Sequence, residues 1–240
     1  MTKPKGCCSL GPAGDRGLSL DMAPNSTDDM YDGCKDEMSK KAPEFLQEEK
    51  KNNKFKTAWD EMMAESTPEL SKEQLAAIKV YTDNKNGLYR DLNTAVRNQG
   101  PQYKTSFRFH AFHFYLTSAI QALPHKCLTV YRRTGSCHVQ NVVNKDFRFG
   151  SFTSASEDDY PIVDYGNKTC FEIVTCNGAD ISMYSLHPEE REVLIPPYEV
   201  FKVVEIKESS QNLKLPCEFI YRVESTKKPF SKLNCALILI

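Results

Sequence analysis

No run of 18 apolar residues occurs anywhere in the 240-residue chain, so no transmembrane helix is expected. Charge of one sign is also missing. Lys and Arg number 31 against 32 Asp and Glu, a formal net charge of -1. Without a basic field the usual footprint for nucleic acid is absent, and nucleic-acid binding is not expected. Nine cysteines are present, but none forms a C-x-x-C pair, which argues against a zinc site. His110 and His113 stand at i, i+3 with no third ligand nearby, so they read as packing or surface residues and no metal is expected. Residues 1–17 are basic and rich in Gly and Pro, without the apolar core of a signal peptide. The final Leu237-Ile238-Leu239-Ile240 is too short for a lipid-anchor signal.

What is present points to an oxidising compartment. Two glycosylation sequons occur, Asn25-Ser26-Thr27 and Asn167-Lys168-Thr169. With scattered cysteines they favour disulfides and an extracellular or secretory-pathway location. The chain is 40% hydrophobic, enough for a real core. Residues 1–20 are expected to be disordered. From about 27 to 65 the pattern is helical, with Asp28 and Asp29 suited to a helix start and Pro43 to the opening of a second helix. Ser71 suits a cap for a segment through Val80 and Tyr81, and Asn84-Lys85-Asn86-Gly87 reads as a turn before Leu88, Leu92 and Val96. Phe109, Phe112, Leu116, Ile120 and Leu123 predict a helix over 104–123, ended by Pro124. Short β-rich runs follow at 127–133, 148–154, 169–176, 192–195, 199–207 and 217–223. Helices followed by strands read as α+β.

The most informative stretch is Pro188-Glu189-Glu190-Arg191-Glu192-Val193-Leu194-Ile195-Pro196-Pro197. In extended backbone, side chains at i and i+2 point the same way, so Glu190 and Glu192 can face one site. Paired carboxylates suit the cleavage of a glycosidic bond. A solvated acidic turn beside a buried strand is the other reading of this segment.

Two further segments carry suggestive residues: Leu128-Thr129-Val130-Tyr131-Arg132-Arg133 and Phe149-Gly150-Ser151-Phe152-Thr153-Ser154-Ala155-Ser156. Taken in order with Glu190-Arg191-Glu192, they resemble the arginine–serine–glutamate signature of the vertebrate mono-ADP-ribosyltransferases related to cholera-type toxins. Leu20-Asp21-Met22-Ala23-Pro24, Asp28-Asp29-Met30-Tyr31-Asp32-Gly33-Cys34, Phe112-His113-Phe114-Tyr115-Leu116-Thr117 and Asn234-Cys235-Ala236 extend the resemblance over 21–240. It implies a single catalytic domain over 21–240, with a helical half followed by a two-sheet β core. It also implies NAD (or NADP) as substrate and arginine-bearing proteins as acceptors.

The implied chemistry is cleavage of the N-glycosidic bond from ribose to nicotinamide. Nicotinamide leaves neutral, and the difficult species is the ribose cation, which a carboxylate stabilises. By resemblance Glu192 takes this role and hydrogen-bonds a ribose hydroxyl. Glu190 holds the acceptor guanidinium and helps to remove its proton, a fit of planar fork to carboxylate. Arg132 binds the phosphates of NAD, and Ser154 sits near the nicotinamide ribose and helps to set Glu192. Arg133 stands where the family has a glycine that meets nicotinamide, so it too belongs with the NAD-binding positions. Ala155 replaces a threonine, and His187 replaces an aromatic residue. Tyr184 and His187 fall on an implied acceptor-recognition loop, though a packed Tyr and a surface His fit them equally well. The resemblance pairs Cys34 with Cys235 and Cys127 with Cys176. In the chain-entropy model these loops contribute at most about 5 and about 4 kcal/mol. Cys137, Cys170 and Cys217 are extra, and Cys7 and Cys8 precede the domain. Two other functions stay open at this point: an NAD glycohydrolase, in which water takes the sugar cation, and a catalytically silent binding paralogue.

Overall fold

The computed structural model describes residues 17–158, 166–208 and 217–238. Of the segment 1–20, residues 1–16 lie outside the described residues, and so do Cys7 and Cys8. Leu18 forms a bridge with His138 rather than standing free.

Among the described residues five α-helices come first: α1 Lys35–Glu49, α2 Asn53–Met62, α3 Lys72–Thr82, α4 Leu88–Asn98 and α5 His110–Ala122. Ser71 caps α3 as expected, in a reciprocal capping box with Gln74. Pro43 does not open a helix. It lies inside α1, because the buried stripe Met38, Ala42 and Leu46 runs straight through it on the opposite face. The packing of that stripe outweighs the one helical hydrogen bond a proline forgoes. Asp28 and Asp29 do not start a helix either. Asp28 is buried against Arg148, at 2.5 Å, and accepts from the backbone N–H groups of Lys232 and Leu233. Asp29 accepts from the N–H groups of Tyr31 and Cys235 and from the Tyr103 hydroxyl. The two acids pin the start of the domain to its end.

Helix α5 begins at His110, later than the apolar period predicts. Its first free N–H groups, those of Ala111 and Phe112, donate to the Glu49 carboxylate at 2.6 and 3.1 Å. The end of α1 therefore caps the start of α5, a relation invisible to local pattern.

Eight strands follow among the described residues: β1 Leu128–Thr134, β2 Asp146–Phe147, β3 Thr153–Ser156, β4 Thr169–Thr175, β5 Ala179–Asp180, β6 Glu192–Ile195, β7 Phe201–Glu208 and β8 Phe219–Ser225. Their order is β2-β7-β8-β4-β1-β3-β6-β5. The α+β class holds, but in place of two separate sheets the strands form one continuous eight-stranded sheet, because β1 and β3 stay hydrogen-bonded. Five strands and three strands form two halves, hydrogen-bonded to each other through the single pair Tyr131↔Ser156. Val130, Phe171, Ile173 and Val203 from one half share a core with Ala155, Val193 and Ile195 from the other. Leu194, between Val193 and Ile195, turns instead into the helical core with Phe112 and Phe152. Strand β6 is thus buried on both faces, and residues sharing the parity of Leu194 look toward the helices.

Cys34–Cys235 and Cys127–Cys176 are bonded as the resemblance implied. A third bridge, Cys170–Cys217, joins β4 to the segment before β8, and Cys137 is also disulfide-bonded.

Candidate active site

Beyond Tyr131↔Ser156, β1 and β3 separate. Arg132, next along β1, reaches across the opening and donates to the Ser154 carbonyl at 2.7 Å. The parting of the two half-sheets makes a cleft, and the arginine is placed at its fork. Ser154 and Ser156 pair in register with Leu194 and Glu192 on β6, so all four share one sheet face. That face meets α3 and α4. The result is a pocket of about 210 Å3 lined by Arg132, Ser154, Glu190 and Glu192 from the strand half, with Tyr81, Asn93 and Arg97 from the helices. It shares Arg97, Arg132 and Thr153 with an adjoining cleft of about 580 Å3, whose wall includes Asn25, Arg148 and Phe149.

Glu192 is only 6% exposed. Burial is the main cause that pushes its pKa up to about 7; the negative charge of Glu190 adds to this, while a hydrogen bond from Ser154 opposes it. Burial also raises Glu190, in part against His187. Burial, then the Glu192 charge, pushes the Tyr81 phenol up to about 12, so it stays protonated, donating to the Phe152 carbonyl while accepting from Asn93. Other buried carboxyls are explained by structure. Glu199 accepts from the N–H groups of Cys176 and Asn177 and the Thr175 hydroxyl, and Glu49 caps α5. Glu192 differs from these in opening on a cleft beside a second acid and two arginines, an arrangement typical of catalytic groups.

Glu190 arrives by a route other than strand alternation. It closes a short 3-10 turn, Pro188–Glu190, and Arg191 follows in the left-handed region at φ 44°. The turn, not extended i, i+2 backbone, brings it into the same pocket as Glu192. Arg133 occupies the other face of β1 and donates from Nε to the Gly166 carbonyl; it lines neither cleft. Ala155 also faces away, into the sheet core. His187 lies beside the pocket, its Nε2 3.2 Å from the Asn84 amide nitrogen and its Nδ1 3.3 Å from Glu189. The Tyr184 hydroxyl stands 3.5 Å from Glu69. Among the sequon residues, Asn25 is exposed on the wall of the larger cleft and Asn167 is exposed elsewhere. His113 is buried between the Tyr31 hydroxyl and the Thr27 carbonyl, and His110 binds the Tyr103 carbonyl. No group of three metal-ligating side chains occurs among the described residues.

Sequence reasoning missed Tyr81, Asn93 and Arg97. They lie on α3 and α4, which precede all three strand motifs in the chain. Arg97, whose guanidinium donates to the Ser151 hydroxyl at 2.6 Å, carries no local signal that separates it from a solvated helix arginine.

Comparison with known proteins agrees with this geometry. The family described as NAD:arginine ADP-ribosyltransferase matches residues 20–219. Ecto-ADP-ribosyltransferase 5 of Bos taurus is 36% identical over 242 residues, covering 91% of this chain and 74% of the relative. NAD(P)(+)--arginine ADP-ribosyltransferase 2 of Gallus gallus is 32% identical, with 95% and 76% covered. A crystal structure of the eukaryotic mono-ADP-ribosyltransferase ART2.2, a mutant in complex with NAD, superposes with a TM-score of 0.70 at 31% identity, covering 91% of this chain and 98% of that one.

Proposed function

The chain belongs to the NAD:arginine ADP-ribosyltransferase family, and from that premise we propose how its cleft divides the reaction among particular residues. It is an enzyme that takes NAD as substrate, releases nicotinamide and transfers ADP-ribose to arginine. The observation that carries the assignment is the meeting of Glu192, Glu190, Arg132 and Ser154 in one pocket at the fork of the half-sheets.

The bond that breaks joins the ribose anomeric carbon to the pyridinium nitrogen. Its electron pair goes to the ring, so nicotinamide leaves neutral and no proton need be supplied. Glu192, held by Ser154, faces the ribose and stabilises the cation that forms, provided it is ionised. Arg132 and, beside it, Arg97 supply positive charge for the phosphates along the cleft. The acceptor guanidine then attacks the anomeric carbon and loses a proton to Glu190, whose carboxylate also orients it. Acceptors are arginine side chains of proteins. The catalytic unit spans 21–240, and its disulfides and the sequons at Asn25 and Asn167 support an extracellular or cell-surface setting.

The test incubates the oxidised protein with labelled NAD, with and without agmatine. The expected result is a labelled guanidine adduct, and loss of nicotinamide release in Glu192→Ala. Free ADP-ribose with no adduct would establish hydrolysis instead, and nicotinamide release unchanged in Glu192→Ala would remove that residue from the site.

A further inference from the structure

The residue between the two acids has no assigned part in the chemistry. Arg191 does not line the pocket, and half of its side chain is exposed. It nonetheless ties its turn to another segment. One terminal nitrogen meets Asp158 at 2.7 Å and the other meets Glu157 at 2.7 Å. Its carbonyl accepts from the Glu157 N–H, and its own N–H donates to the Pro188 carbonyl. Its backbone is left-handed, at φ 44° and ψ 49°, a conformation that residues other than glycine seldom adopt and that costs free energy unless the surroundings hold it.

Outside the turn's own hydrogen bonds, the partners of Glu190 and Arg191 come from the segment leaving β3. The Ser156 hydroxyl donates to the Glu190 carbonyl at 2.8 Å and accepts from the Asp158 N–H. Glu190, by contrast, has no side-chain hydrogen bond among the described residues, so the course of its backbone does most to aim its carboxylate. Glu192 is fixed differently, by strand register with Ser156 and by burial. The two acids share Ser156, but Glu192 rests on the sheet, whereas Glu190 rests on a turn that the clasp of Arg191 to Glu157 and Asp158 holds.

We propose that Arg191 is a positioning residue that sets the partition between transfer to arginine and loss to water, by clasping the Glu190 turn onto Glu157 and Asp158. This rests on the assignment of Glu190 to the acceptor. Opening the clasp lets the turn leave its left-handed state and swings Glu190 out of line with the attacking nitrogen. Water needs no such alignment, so the cation formed over Glu192 is then hydrolysed more often.

The measurement is the ratio of agmatine adduct to free ADP-ribose at fixed NAD, for wild type, Arg191→Ala, Arg191→Lys and the double variant Glu157→Gln/Asp158→Asn, with melting temperature recorded for each. The expected result is a ratio lowered about tenfold in Arg191→Ala and in the double variant, and partly restored by lysine, which keeps the charge without the fork. Combining the two should lower it no further. The wild-type ratio should also fall with added salt, because exposed ion pairs are screened, while that of Arg191→Ala should not. An unchanged ratio, or a fall in both products together in step with melting temperature, would overturn the proposal. Glu190→Gln run alongside separates the causes: if it leaves the ratio at the wild-type value, the acceptor assignment itself fails, and the clasp has nothing to position.

Discussion

A carboxylate stabilises a sugar cation only when ionised, and Glu192 is buried enough to resist ionisation. Its pKa, raised from 4.5 to about 7, sets the lower limit of the working range. Nicotinamide release measured as kcat/KM should rise as pH passes through about 7 and level off above it, because the free enzyme must lose that proton. Part of the rise in pKa comes from the Glu190 charge. Glu190→Gln should therefore move the midpoint to lower pH, and an unmoved midpoint would show that the acids do not sense each other. The same variant should lose transfer to agmatine far more than it loses nicotinamide release. Equal losses would contradict the division of roles. At this scale much of the site was legible: Arg132, Ser154, Glu190 and Glu192 were all named from sequence motifs. Arg133 was named too, yet strand alternation sends it to the other face, where it meets Gly166. Alternation was available from sequence; which face would open on the cleft was not.

Elements raise a different question, which is how a helix start is satisfied when its own cap is Phe109, whose side chain has no oxygen to offer. Glu49 supplies the missing acceptor from the end of α1. Glu49→Ala should lower stability by about 1–2 kcal/mol through loss of this cap, read by denaturant melting. Burial also raises the Glu49 pKa from 4.5 to about 8, against the two N–H donors. A carboxyl whose folded pKa is raised stabilises below its unfolded value and loses that contribution as pH rises through the folded one. Thermal stability should accordingly decline between about pH 4.5 and about 8, with Asp29 and Glu192 acting in the same sense. Glu49→Gln keeps an acceptor without the titration and should flatten the decline. An equal slope in wild type and variant would exclude Glu49 as a source. The later start of α5 and the passage of α1 through Pro43 were illegible for one reason. Each depends on a partner from another element, and hydrophobic period reports only the element's own face.

Over the whole molecule, the start of the domain is tied to its end by a disulfide and by buried acids. Cys34–Cys235 closes a separation of 201 residues, and Asp28 joins the opening segment to Arg148 and to the N–H groups of Lys232 and Leu233. Asp28→Ala would leave the Arg148 guanidinium buried without its counter-charge and should cost about 3–5 kcal/mol, read from urea melting of the oxidised protein. A loss under about 1 kcal/mol would mean that the Met22, Ala23 and Phe230 carbonyls satisfy Arg148 alone. Residue type and hydrophobic period by themselves determined the α+β class, and the order of the motifs, through its resemblance to the arginine–serine–glutamate family, implied the NAD chemistry, the pairs Cys34–Cys235 and Cys127–Cys176 and the strand-borne residues of the site. Tertiary structure alone decided that β1 and β3 part after one pair, that Arg132 bridges the opening, and that Tyr81, Asn93 and Arg97 close the pocket from the helices. It also decided that Glu190 enters on a left-handed turn rather than along a strand. The physical reason is that a cleft is the place where pairing stops. Sequence period encodes the burial of each strand, whereas the point of divergence is fixed by how two half-sheets and a helical layer share one core.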